Sequence, residues 1–124
     1  MTVVDYKTGK PKSRNEMEGK TATGKGDYQR QLVFYKLLLE EDTRLGVTTN
    51  EGVIDFIEPI KESGKYRREA FAISEADVAA LRKEIVRVAE EIRSASFWNT
   101  RCDEPKCEYC ALRDMMEGAS GEWM

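Results

Sequence analysis

The chain contains no histidine, which excludes imidazole general-base catalysis and histidine-ligated metals within it. No apolar run approaches the ~18 residues that a membrane span needs. No signal-peptide pattern is present either. Neither a membrane span nor export is therefore expected, and the cytoplasm is the expected location. Cysteines are scarce and odd in number: Cys102, Cys107 and Cys110, all near the end. That argues against a disulfide framework.

What is present describes one ordinary folded domain. Hydrophobic residues make up 40% of the 124 and charged residues 35%, a balance that suits a packed core rather than disorder. A chain of this length buries roughly two-thirds of its unfolded surface. The net charge of −3 is unevenly spread. Residues 1–30 hold seven bases and four acids, net +3, and the remainder 13 bases and 19 acids, net −6. A basic end on an acidic body suits a local anion site, or simply a lysine-rich polar loop.

Val3 and Val4 ahead of a Thr8-Gly9 turn read as a short strand. Residues 8–26, with four glycines and one proline, read as a mobile loop of unusual length. From Asp27, placed to cap the start, Tyr28, Leu32, Tyr35 and Leu39 share one helical face, and Leu45-Gly46 closes the element. "EGVIDFIEPI" alternates as a strand ended by Pro59, Ser63-Gly64 makes a hairpin turn, and "YRREAFAI" returns antiparallel. Ser74 to Asp77 resembles a capping box. It is followed by a stripe of Val78, Leu81, Ile85, Val88 and Ile92 reaching about Ser96. The expected class is mixed α/β or α+β: a short mixed sheet of at most three strands flanked by helices. So thin a sheet suggests that a segment is missing in front.

Asp5 and Lys7 stand two apart in the first strand and leave the same face. They form either a surface ion pair or half of an active site. Gln31 and Tyr35, one helical turn apart, present a polar pair toward one place. "VVDYKTGK" followed by "YQRQLVFYKLLLE" resembles the end of the nuclease domain of RecB- and AddA-type helicase–nucleases, in the PD-(D/E)xK, restriction-endonuclease-like superfamily. Asp5 and Lys7 match that family's D-x-K, and Gln31 and Tyr35 its Q-x-x-x-Y. The hairpin and the helix after it are similar to the tails of bacterial helicases carrying such a domain. The resemblance implies a partial restriction-endonuclease-like fold, with residues 1–98 the C-terminal part of a nuclease domain and 99–124 its Cys-bearing segment. It also implies a Mg²⁺- or Mn²⁺-dependent DNA exonuclease acting in repair, partnered by a helicase portion of the parent chain or by another subunit.

The chemistry is consistent with that assignment. Phosphodiester hydrolysis uses a divalent ion, and Mg²⁺ takes oxygen ligands such as Asp5 and the Tyr6 carbonyl. Lys7 would orient or deprotonate the attacking water, or stabilise developing charge. Lys10, Lys12, Arg14, Lys20 and Lys25 would contact DNA phosphates without reading sequence. Tyr28, Phe34 and Tyr35 read as core rather than base-stacking platforms. The family's first metal-binding acid lies upstream of D-x-K, where only four residues stand here, so a C-terminal fragment with half of a site is expected. "GVIDF" imitates that acid's motif in the wrong order, and Asp55 reads as a strand residue with no metal role. The alternative is a non-catalytic DNA-binding or helicase-docking module of the same fold.

Cys102, Cys107 and Cys110 form C-x4-C-x2-C, a spacing of thiolates suited to Zn²⁺ or an iron–sulfur cluster. AddB-type members of the superfamily staple their domain with a 4Fe–4S cluster through a C-terminal C-x2-C-x5-C group. Cys107 and Cys110 match its first two positions, while the third falls on Met116. The other reading is free thiols packed near Phe97, Trp98 and Tyr109.

Overall fold

The computed structural model describes residues 1–22 and 24–119. The end of the expected Cys-bearing segment, 120–124, lies outside the described residues, as does the side chain of Phe97. Contacts divide the chain into two compact units, 1–86 and 87–124.

The first unit is built on a three-stranded mixed sheet of order β1-β2-β3. Strand β1 (Thr2–Lys7) pairs in parallel with β2 (Glu51–Phe56), and β2 pairs antiparallel with β3 (Arg68–Ala72). The registers place Val3 beside Gly52, Asp5 beside Ile54 and Lys7 beside Phe56. These residues therefore share one sheet face, because side chains alternate along a strand. Helix α2 (Asp27–Glu41) covers that face. Its Leu32 joins Ile54, Phe56, Phe71, Val33 and Leu37 in the core, with Val78 and Leu81 of α3 (Glu75–Ser94) closing it. The mixed α/β class and the three-stranded limit are both found as expected.

The approach of α2 depends on Gly52. A Cβ built there would lie 2.9–3.0 Å from three atoms of Leu32, including its Cβ. Leu32 is fully buried, and its Cβ is fixed to the helix, so a rotamer change relieves little. Gly52→Ala is expected to push α2 off the sheet and destabilise by about 1–3 kcal/mol, read as a lower urea midpoint with unchanged slope.

Several local expectations are corrected. The N-cap of α2 is Gly26, at φ 69°, with Asp27 the first helical residue, and the helix ends at Glu41 with Asp42 as cap. The span 8–26 contains helix α1 (Arg14–Met17), started by a reciprocal Ser13–Glu16 capping box. A single turn burying one side chain, Met17, shows no periodicity to read. The hairpin connection runs from Ile57 to Arg67, with its turn closed between Ile60 and Lys65 and Gly64 at φ 65°. Helix α3 does begin at a Ser74–Asp77 capping box. Of its apolar stripe only Val78 and Leu81 are buried, while Ile85, Val88 and Ile92 are exposed.

Sequence patterning also missed Lys36, a lysine whose side chain is fully buried. Its ammonium donates to Glu40 at 2.5 Å, the Thr49 carbonyl at 2.8 Å and Asn50 Oδ1 at 3.3 Å, and pairs with Glu75 at 2.8 Å. It ties α2 to the approach to β2 and to the start of α3.

The second unit holds the end of α3, a 3₁₀ turn (Ser96–Asn99) and helix α4 (Glu108–Ala119). Arg113 donates to the carbonyls of Trp98 and Thr100, and Arg101 pairs with Asp114. These bonds fix the cysteine loop against α4.

Candidate active site

Asp5 and Lys7 leave β1 on the face covered by α2, and Gln31 and Tyr35 meet them from the helix. The four side chains close a ring of polar contacts. The Lys7 ammonium donates to Gln31 Oε1 at 2.5 Å, Gln31 Nε2 donates to the Tyr35 oxygen at 2.9 Å, and the Tyr35 hydroxyl donates to Asp5 Oδ2 at 3.3 Å. Lys7 completes the ring with an ion pair to the same Oδ2 at 3.1 Å. Side-chain exposure is 11% for Asp5 and 16% for Lys7, so this is neither a solvent-screened surface pair nor a sealed one. Because Lys7 donates to the amide oxygen, the orientation of the Gln31 amide is fixed by its two neighbours. Tyr28, one turn before Gln31, rests its ring beside Phe56 and under the Lys7 ammonium, 4.6 Å from the ring centroid.

Both contacts to Asp5 fall on Oδ2, leaving Oδ1 as the oxygen to offer a cation. Mg²⁺ is commonly held by one or two carboxylates with water and substrate phosphate completing its shell. One carboxylate with a free oxygen meets the lower limit of that donor set. Asp55 adds nothing to it: in register with Tyr6, it leaves the opposite sheet face and pairs with Arg68 at 2.8 Å.

The basic residues of the 8–26 segment separate into two groups. Arg14 is committed to structure: it pairs with Glu18 at 2.9 Å and Glu69 at 3.2 Å, donates to the Ala70 carbonyl and lies over Phe71. Lys20 pairs with Glu18 at 2.5 Å. Lys10, Lys12 and Lys25 form no ion pair among the described residues. Lys12 stands 4.7 Å from the centroid of the Tyr28 ring, beside the four-residue ring.

Residues 1–115 match the PD-(D/E)XK nuclease superfamily. The chain belongs to that superfamily. No curated protein and no solved structure matches it. PD-(D/E)XK members are nucleases that typically use divalent metals and act on DNA. The mixed sheet flanked by helices is consistent with their fold. No helix among the described residues is long and apolar enough to cross a membrane.

The second constellation lies in the other unit. The sulfurs of Cys102, Cys107 and Cys110 are all within 4.8 Å of one another, with Cys102 and Cys110 3.5 Å apart. Tyr109 and Trp98 are largely exposed, so they do not bury the thiols. The Cys110 backbone N–H, helped by the Cys102 thiol, holds Cys107 below the ordinary thiol range, while hydrogen bonding with Cys107 pushes Cys102 up. The trio can bind a thiophilic metal, with a fourth tetrahedral position left to another ligand. Protein purified without oxygen is expected to retain zinc or iron after dialysis, and Cys107→Ser to lose it. Equal metal content in the two would overturn the site.

Proposed function

We propose that this chain is the metal-dependent DNA exonuclease part of a RecB/AddA-like helicase–nuclease acting in DNA repair or recombination. The observation that carries the reading is the closed ring of Asp5, Lys7, Gln31 and Tyr35, which joins the D-x-K strand to the Q-x-x-x-Y helix at hydrogen-bond distance. Asp5 and the Tyr6 carbonyl would hold a divalent ion. When bound, such an ion activates water and offsets charge on the phosphate. Lys7 stands beside the position of the attacking water, oriented by Gln31, and donates hydrogen bonds to it or to the phosphate oxygen. Tyr35 holds the Asp5 carboxylate in place. Lys10, Lys12 and Lys25 grip the strand by its phosphates. In this reading residues 1–98 belong to the nuclease and 99–124 form its Cys-bearing segment, carrying zinc or an iron–sulfur cluster. A helicase, in the same chain or as a partner, feeds the strand.

Having one carboxylate at the ring favours a second reading, in which the same face binds DNA or docks a helicase without cutting. Incubation of linear single- and double-stranded DNA with Mg²⁺, Mn²⁺ or EDTA separates the two. Metal-dependent release of nucleotides from the ends supports the exonuclease. DNA retention without cleavage in either metal supports the binding module.

A further inference from the structure

Tyr28 does more than fill space between α2 and the sheet. Its ring lies against Phe56, with centroids 6.1 Å apart, and carries two ammonium groups: Lys7 at 4.6 Å and Lys12 at 4.7 Å from the centroid. The two charges are thus within about 9 Å of each other. An aromatic face attracts each cation through its quadrupole, but it does not cancel their charge.

The two ammonium groups differ in how they are balanced. Lys7 faces Asp5 at 3.1 Å. Lys12 has no carboxylate at ion-pair distance among the described residues. It borders a hollow of about 200 Å³ lined also by Lys25, Tyr28, Glu16, Met17 and Asp27. The two acids there have other partners, although the Glu16 charge also acts on Lys12. Glu16 accepts from the Ser13 backbone and hydroxyl, and Asp27 lies 3.6 Å from Arg30. Lys12 is also placed by structure rather than by chance. It immediately precedes the Ser13 cap of α1, which is pinned to the unit by the burial of Met17 and by Arg14 on β3. A lysine held on a ring, with no carboxylate at ion-pair distance and Glu16 only as a more distant counter-charge, beside a hollow that shares Tyr28 with Lys7, is set for an anion.

We propose that Tyr28 is a positioning residue that gathers Lys7 and Lys12 into a paired cation for neighbouring phosphates of one DNA strand. This rests on the reading that the strand passes the Asp5–Lys7 ring. Lys7 takes the phosphate at the reacting position and Lys12 the next one along.

The test is binding of a short fluorescein-labelled oligothymidylate to the full chain in EDTA, followed by anisotropy over a range of salt. Tyr28→Leu and Lys12→Met are each expected to weaken binding roughly fivefold and to reduce the salt slope by about 1. The double variant should be little weaker than Tyr28→Leu alone, because losing the ring already releases Lys12. Tyr28→Phe keeps the ring and should bind like the parent. In NMR spectra, the ε-methylene protons of Lys7 and Lys12 should be shifted upfield by the ring in the parent and in Tyr28→Phe, and not in Tyr28→Leu. Additive losses, a Tyr28→Phe as weak as Tyr28→Leu, or a parent that does not bind would each overturn the proposal. Should Tyr28→Leu fail to fold, ordinary ε-methylene shifts at either lysine in the parent, or an unchanged salt slope in Lys12→Met, would overturn it. Absence of cleavage in Mg²⁺ with this binding pattern intact would sink the nuclease reading and leave the paired cation standing.

Discussion

Asp5→Asn should abolish metal-dependent DNA cleavage while leaving the fold intact. The substitution keeps the side chain's shape and its acceptor oxygen for Tyr35, but removes the anionic oxygen offered to a divalent ion. Losing a group aimed at charge in the transition state lowers kcat by roughly 10²–10³, and losing the metal ligand should do at least as much. The effect on stability should be moderate, about 1–3 kcal/mol, because the largely buried Lys7 loses its carboxylate but keeps Gln31 and the Tyr28 ring. The decisive comparison is cleavage rate against Mg²⁺ concentration for parent and variant, with the urea midpoint measured in parallel. A variant that cuts as fast as the parent at equal metal would remove Asp5 from the active site.

Lys36→Met should produce the largest loss of stability. A lysine with no exposure and four oxygen partners is costly to replace by an apolar chain, because the Thr49 carbonyl loses its Lys36 donor and Glu40 loses its cation, keeping the Thr48 hydroxyl. Breaking a buried pair by removing one member destabilises by about 3–5 kcal/mol. Glu75 is largely exposed and Glu40 partly so, which puts the expected loss near ~3 kcal/mol, or roughly 10–20 °C in Tm.

The pH dependence has a definite sign on each side. Burial alone pushes the Lys36 ammonium down, but the hydrogen bonds to Glu40 and Glu75 outweigh it and hold the group above the ordinary value of 10.5. Its contribution is therefore complete below that value and lost as pH rises through the higher folded one. The Lys36 hydrogen bond comes first among the causes holding Glu40 below the ordinary 4.5, against the opposing effect of burial. That contribution is complete above 4.5 and lost as pH falls through the lower folded value. The stability gap between parent and variant should therefore be flat across neutral pH and shrink toward both extremes. A gap that persists unchanged in strong acid and strong alkali would mean that packing, not charge, makes the difference.

The two experiments probe features that were unequally visible in the sequence. Asp5, Lys7, Gln31 and Tyr35 could be singled out because period-2 and period-3.6 spacing state which side chains share a face, and motif resemblance states which faces meet. That all four close one ring needed coordinates, since spacing says nothing of the 24–30 residues between partners. Lys36 left no such trace: a cationic residue among leucines reads as the solvent side of a helix, and its oxygens come from three separate segments. Tyr28 was legible as a buried aromatic but not as a platform for two lysines. The α1 turn was hidden because one methionine makes no pattern, although Ser13 and Glu16 three apart are the signature of the cap that starts it. The outer half of the α3 stripe was legible as apolar, but its exposure was not, since periodicity reports a face and not what covers it.

The parallel pairing of β1 with β2 has a consequence for how the site comes into being. A hairpin such as β2–β3 joins neighbours in the chain, whereas Thr2 meets Glu51 only after everything between them has been looped out. The entropy of such a closure grows slowly, by about 0.6 kcal/mol for each doubling of length. What matters is that it is met before any contact rewards it. Asp5 and Lys7 are therefore held on a strand whose pairing is far from local in the chain. The residues proposed for chemistry are thus brought together by tertiary structure: no single helix or hairpin of this chain contains the site.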